Sequence, residues 1–303
     1  MSRASGFRPT EGALHDAALY QAYRPRYPAR ALAPLARRLR AVHGSRGSQG
    51  ALAGSALKES APALEDLRIL DLGCGGGQAI EALMHAWAPV PPPALEVLGI
   101  DPNPEMIEQA ATLCDSIGVR FQGFPILAED FSPTTLPRPR VDAVVCASSL
   151  HWLDFKALLP RLAPLLTPET LFFVIEYQFP QVKDAPELND WLKEQFRKTW
   201  RFESQRPRGR LRDLVREVWA EWPEGGSRLS HLPLERTSWE QPVNRSEFIG
   251  LLSSQARVLA ALARDPGEAQ RLRAELEARA PETLTLCYES ESILLPPKAG
   301  PLS

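Results

Sequence analysis

Between residues 67 and 177, short continuous apolar runs alternate with stretches whose apolar residues recur at helical spacing. Leu67–Leu72 is a run of the first kind, stopped by a glycine cluster, and predicts a strand buried on both faces. Gln78–Trp87 is of the second kind and predicts a helix, after which Pro91, Pro92 and Pro93 break the chain. Leu95–Ile100 predicts a second buried strand, ending at Asp101. A helix is expected over 104–117, with Asn103 placed to cap it, Pro104 at its first position and Gly118 closing it. Further strands are expected over 119–124, 141–147 and 171–177. A helix over 155–166 sets Leu158, Leu159, Leu162, Leu165 and Leu166 on one face.

After residue 180 the rhythm changes. Leu188, Trp191, Leu192, Phe196 and Trp200 mark one helix, and Leu211, Leu214, Val215, Val218 and Trp219 another. Residues 244–264 read as one long helix whose start carries Asn244 and Glu247 at capping-box spacing. Late strands near 232–240 and 283–295 would bring the five earlier strands to seven. The expected fold class is therefore α/β: a doubly wound, mostly parallel seven-stranded sheet with helical cap elements. A single domain over 1–303 is expected, divided into an N-terminal helical cover (1–43), a flexible Gly/Ser-rich insertion (44–62), a core (67–177), a helical cap (178–231) and C-terminal strands and helices (232–303). Sheets of this kind bind ligands beyond the carboxyl ends of their strands, where strand order reverses. The first two strand ends are thus the places to look for chemistry.

Composition narrows the classes. Net charge is −2, from 35 Lys and Arg against 37 Asp and Glu, which argues against a strongly basic nucleic-acid binder. Arginine is nonetheless dense over 197–216, enough to keep an RNA partner as an alternative. The four cysteines, Cys74, Cys114, Cys146 and Cys287, form no C-x-x-C pair, and the five histidines have no metal spacing, so no metal site is expected. Three of these thiols lie in apolar stretches, which suits a reducing, cytoplasmic setting. No apolar run reaches the ~18 residues of a membrane span. The N-terminus lacks the apolar core of a secretory signal, while Arg3 and Arg8 before the first acid leave a transit segment open.

The sharpest signal is Asp71-Leu72-Gly73-Cys74-Gly75-Gly76-Gly77. Where a strand turns abruptly into a helix, glycine permits positive φ, and its missing Cβ lets a ligand lie against the backbone amides. A dinucleotide fingerprint, G-x-G-x-x-G, would place a glycine where Gln78 stands. D-x-G-x-G-x-G is filled completely by Asp71, Gly73, Gly75 and Gly77. Asp101, at the end of the second strand, can accept the hydroxyls of a ribose.

This loop resembles the first cofactor motif of Rossmann-like, class I methyltransferases. Two further segments, Tyr20 through Pro28 (YQAYRPRYP) and Ala147 through Asp154 (ASSLHWLD), make the chain similar, from about residue 16 onward, to small-molecule methyltransferases of the trans-aconitate methyltransferase-like (type 11) group. The resemblance implies S-adenosylmethionine as cofactor. It implies that Asp71 orients the loop and the cofactor's amino group, that Asp101 takes the ribose, and that Pro102 and Met106 pack near the adenine. Glu129 or Asp130, with Asp130 slightly preferred, would meet the adenine amino group. Ala147 closes the fourth strand among the cofactor residues. Tyr23 and Arg24 would fold over the cofactor, Arg24 toward its methionyl carboxylate. His151 falls where the family faces substrate, either as a general base or as a packing residue beside Trp152. A sulfonium donor is already activated, and a carboxylate acceptor needs no base, so an acid small molecule fits with least strain. The alternatives are an RNA-modifying methyltransferase and a non-catalytic S-adenosylmethionine-binding protein. The chain departs from the family pattern at 44–62 and in the arginine-dense stretch over 201–216.

Overall fold

β1 (Leu67–Leu72) is buried at every position, as a strand must be when helices cover both faces of its sheet. It lies between β2 (Leu95–Ile100) and β4 (Ala143–Ala147) and is parallel to both. β3 (Arg120–Phe124) pairs in parallel outside β2, and β5 (Leu171–Tyr177) outside β4. Three more strands are β6 (Gln181–Val182), β7 (Leu234–Asn244) and β8 (Thr283–Leu295). The hydrogen-bonded order is β3-β2-β1-β4-β5-β8-β6, with β7 also paired to β8. The mostly parallel α/β sheet is as expected, but among the described residues it has eight strands rather than seven. The extra one is β6, two residues antiparallel to Leu286 and Cys287. So short a bridge has no alternation for a sequence to display.

The structure, a computed structural model, describes residues 16–52 (side chains to 42), 66–88, 94–133, 136, 140–167, 169–200, 211, 213, 215, 233–265 and 267–295. Its helices are α1 (Ala17–Tyr23), α2 (Ala29–Leu52), α3 (Gln78–Trp87), α4 (Pro104–Ser116), α5 (Phe155–Leu162), α6 (Pro186–Lys198), α7 (Arg245–Ser253), α8 (Ala256–Arg264) and α9 (Glu268–Arg279).

The chain divides into two compact units. The larger comprises Arg26–Glu176, Arg210–Glu235 and Glu291–Ser303; the smaller comprises Met1–Pro25, Tyr177–Gly209 and Arg236–Ser290. In the larger, Leu70, Leu72, Leu98, Ile100 and Val144 of the sheet pack with Phe131, Phe155, Leu158 and Leu162 in one apolar core. α4 starts as its sequence requires: Asn103 accepts the Glu105 N–H at 2.9 Å, with Pro104 in the first turn. In the smaller unit, Trp200 is buried and donates to Glu268 at 3.1 Å, with Trp191 set edge-on at 5.9 Å. These two tryptophans are packing residues of that unit.

Two local expectations change. α2 continues through Pro34 to Leu52, so residues 44–52 of the stretch expected to be a flexible insertion are helical; 53–62 lie outside the described residues. Burial of Leu32, Leu35 and Leu39 on α2 offsets the hydrogen bond that Pro34 removes. The helix expected over 244–264 is two helices, α7 and α8. Ser254 turns its hydroxyl back to the Leu251 carbonyl at 2.7 Å and Gln255 is extended, which ends the first helix and starts the second. Apart from Leu211, Asp213 and Val215, residues 201–232 lie outside the described residues, and most of the arginine-dense stretch is among them.

Candidate active site

The carboxyl ends of β1 and β4 flank the point where strand order reverses. Between β1 and α3 the chain turns within residues 73–77, and Gly73, Gly75 and Gly77 take φ of +69°, +51° and +87°. Side-chain-bearing residues rarely adopt such values. Gly73 is constrained a second way, because a Cβ there would lie 2.6 Å from the Ser149 Cβ. The Gly73 and Cys74 amides donate to the Ile100 carbonyl at 2.8 and 3.0 Å. The Ser149 hydroxyl donates to the Leu72 carbonyl. The loop is thus tied to the end of β2 on one side and to the segment after β4 on the other.

Two carboxylates stand beneath this loop. Asp71, still within β1, is 0% exposed, and neither of its oxygens has a hydrogen-bond partner. Burial, and after it the neighbouring charge of Asp101, raises its pKa from 3.8 to about 7. Asp101 accepts the Gly75 N–H at 3.0 Å with one oxygen and the Asn103 N–H at 2.9 Å with the other. Burial raises its pKa as well, and these two hydrogen bonds hold the rise back. Asp101 therefore braces the glycine loop against the start of α4. Pro102 beside it is half-buried and Met106 on α4 is buried.

The segment after β4 carries the other candidates. Ala147 is half-buried at the end of β4. Ser148 has φ +52°, the one non-glycine residue with positive φ among those described, and its hydroxyl is 2.8 Å from that of Tyr27. Strain of this kind concentrates at functional sites. His151 follows, 6% exposed, with its ring centroid 5.1 Å from that of Trp152. Its Nδ1 lies 3.4 Å from Oε1 of Glu176 near the end of β5. Glu129 accepts the backbone N–H of Asp154 at 2.6 Å, while Asp154 caps α5; Asp130 is exposed. Tyr23 and Arg24 belong to the smaller unit. There the Tyr23 ring fills the space where a Cβ on Gly250 would stand. Arg24 donates to the Tyr177 hydroxyl at 3.3 Å and to the Ser254 carbonyl at 3.1 Å. These contacts engage the guanidinium that the family resemblance assigns to a cofactor carboxylate.

Residues 69–169 match the methyltransferase domain family. Over these residues the chain carries a methyltransferase domain. The match takes in Asp71, the glycine loop, Asp101, Pro102, Met106, Glu129, Asp130, Ala147 and His151. Trans-aconitate 2-methyltransferase from Enterobacter sp. (strain 638) is 33% identical over 129 residues, which are 41% of this chain and 44% of that protein. The enzyme of the same name from Pseudomonas aeruginosa is 38% identical over 106 residues, 33% of this chain and 32% of that protein. The chain thus spans less than half the length of these curated relatives. A solved structure from Anaeromyxobacter dehalogenans, provisionally named a type II methyltransferase, shares the fold with a TM-score of 0.54 at 21% identity, over 92% of this chain and 100% of that one.

Sequence reasoning passed over Glu176, Ser148, Ser149 and Tyr27. A signal existed for Glu176, the one carboxylate in the apolar run of β5 and placed at its carboxyl end, as Asp101 is placed after β2. Ser148 and Tyr27 meet only through the fold. Among the described residues no group of three or more His, Cys, Asp or Glu is arranged to hold a metal, and no helix is long and apolar enough to cross a membrane.

Proposed function

We propose that the chain transfers a methyl group from S-adenosylmethionine to a small-molecule acceptor. The observation that carries this reading is Asp71, a fully buried carboxylate with both oxygens unpaired, at the foot of a loop of positive-φ glycines. An unpaired charge at such a position is costly unless a cationic partner arrives. The α-ammonium of the methionyl group is such a partner, and the residues present fit it. Gly73, Gly75 and Gly77 lack a Cβ and so let the same end of the cofactor approach the loop closely, near the start of α3. Asp101 supplies the carboxylate for the ribose hydroxyls. Pro102 and Met106 line the adenine. Glu129 already accepts from Asp154, which favours Asp130 for the adenine amino group.

When bound, S-adenosylmethionine supplies a methyl group activated on a sulfonium sulfur. The work left to the protein is to align the acceptor and exclude water, and positioning of this kind is worth roughly 7–11 kcal/mol. The name of the curated relatives points to an acid acceptor, in line with the carboxylate expected from the sequence. The pairing of His151 with Glu176 favours a second reading, an acceptor that must lose a proton. Calorimetric titration with S-adenosylmethionine and S-adenosylhomocysteine tests the cofactor. Release of S-adenosylhomocysteine over a panel of carboxylic acids, phenols, amines and RNA tests the acceptor. Tight cofactor binding that weakens by about 1.5–3 kcal/mol in Asp71→Asn is the expected result. A folded protein that binds neither compound would defeat the proposal.

A further inference from the structure

His151 and Glu176 come from neighbouring parallel strands, His151 four residues beyond the end of β4 and Glu176 one residue before the end of β5. The Ser148 amide donates to the Ile175 carbonyl at 2.8 Å, which ties the segment carrying His151 to the residue preceding Glu176. Both side chains are withdrawn from water, 4% and 13% exposed, with Nδ1 and Oε1 3.4 Å apart. Every other residue of β5 is buried, so the strand gives up one fully apolar position for this carboxylate. A carboxylate beside Nδ1 selects the tautomer with the proton on Nδ1, and Nε2 is then the basic nitrogen.

We infer that Glu176 is a positioning residue that holds His151 in this tautomer, and that His151 removes the proton from a hydroxyl group on the methyl acceptor. The inference rests on the reading of the site as a methyltransferase and names its substrate class, a small molecule with a hydroxyl of phenol-like acidity. A carboxylate acceptor is already anionic, and a pair built to accept a proton would have nothing to do for it. A phenol, with a pKa of about 10, is within reach of an imidazole acting in the transition state. The step balances. As the acceptor oxygen bonds to the methyl carbon, the carbon–sulfur bond breaks and its electron pair stays on sulfur. The hydroxyl proton passes to Nε2, so the positive charge of the sulfonium reappears on the imidazolium, which returns its proton to water.

Two measurements test this. In the cofactor-free protein, nitrogen-15 NMR of the neutral histidine rings reads the tautomer directly, with His151 identified by its loss in His151→Gln. The Nδ1–H form is expected in the wild type, with a shift toward Nε2–H in Glu176→Leu. An Nε2–H ring in the wild type, or one indifferent to Glu176→Leu, overturns the inference whatever the enzyme turns over. For turnover, phenolic acids are the probe, 4-hydroxybenzoate first, because they offer a hydroxyl and a carboxylate in one molecule. The methyl group should appear as an alkali-stable ether. Glu176→Gln should lower kcat by about 100-fold, with acceptor KM and cofactor affinity unchanged and partial recovery in Glu176→Asp. An alkali-labile ester, made equally fast by wild type and Glu176→Gln, overturns it. Wild-type protein that fails to bind S-adenosylmethionine would sink the methyltransferase reading itself, a failure distinct from either of these.

Discussion

Asp71→Asn should stabilise the cofactor-free protein while weakening its hold on S-adenosylmethionine. The side chain is wholly buried and unpaired, and burial followed by the charge of Asp101 lifts its pKa from 3.8 to about 7. An acid raised in this way binds more protons in the folded than in the unfolded state between those two values. Its contribution is therefore complete below pH 3.8 and is lost as pH climbs to about 7. A shift of about three units, at ~1.4 kcal/mol each, sets a ceiling of about 4 kcal/mol on that loss. Asparagine has no charge to acquire, so the stability gap between variant and wild type should open from about pH 4 and level off above about pH 7. Urea unfolding of both proteins at several pH values measures the gap through midpoints at constant m. A gap that is the same at acid and alkaline pH would show that Asp71 does not titrate in this window. Cofactor binding reads the same group from the other side. Meeting an ammonium requires Asp71 to be ionised, so wild-type affinity should fall as pH drops below about 7, with proton release visible as a buffer-dependent binding enthalpy. In Asp71→Asn the affinity should be lower by about 1.5–3 kcal/mol and its pH dependence should vanish. A wild-type affinity flat across this range would refute the reasoning.

Asp101→Ala removes the acceptor of the Gly75 and Asn103 amides together with the proposed ribose contact, and should weaken S-adenosylmethionine by about 1.5–3 kcal/mol in calorimetry. Gly73→Ala places a Cβ 2.6 Å from that of Ser149 at φ +69°, and should lower stability by about 1–3 kcal/mol and abolish cofactor binding. An unchanged urea midpoint would contradict this. Asn244→Ala breaks the capping box at the start of α7 and should cost about 1 kcal/mol of stability. Its cofactor affinity should equal that of the wild type, since Asn244 is none of the residues proposed to hold the cofactor.

The chain announces by itself those features that depend on neighbours in sequence. The buried runs of β1 and β2, the capped start of α4 at Asn103 and Pro104, and the glycine loop with Asp71 before it all express local backbone requirements. Each needs particular residue types at fixed short spacing, and the pattern can be read without the fold. The break between α7 and α8 was not readable in this way, because Ser254 and Gln255 are tolerated within a helix and only their hydrogen bonding and extended backbone divide it. Nor was β6, whose two residues are a strand only because β8 lies beside them. The site divides along the same line. Asp71 and Asp101 were legible as acids at strand ends, but the isolation of Asp71 from every hydrogen-bond donor is a property of packing. Glu129 and Asp130 are neighbours in sequence, and only the fold brings the Asp154 amide to Glu129. His151 and Glu176 are 25 residues apart and share no motif. The parallel pairing of β4 with β5 sets them side by side, since neighbouring strands of a sheet bring distant segments within the few ångströms over which a hydrogen bond acts.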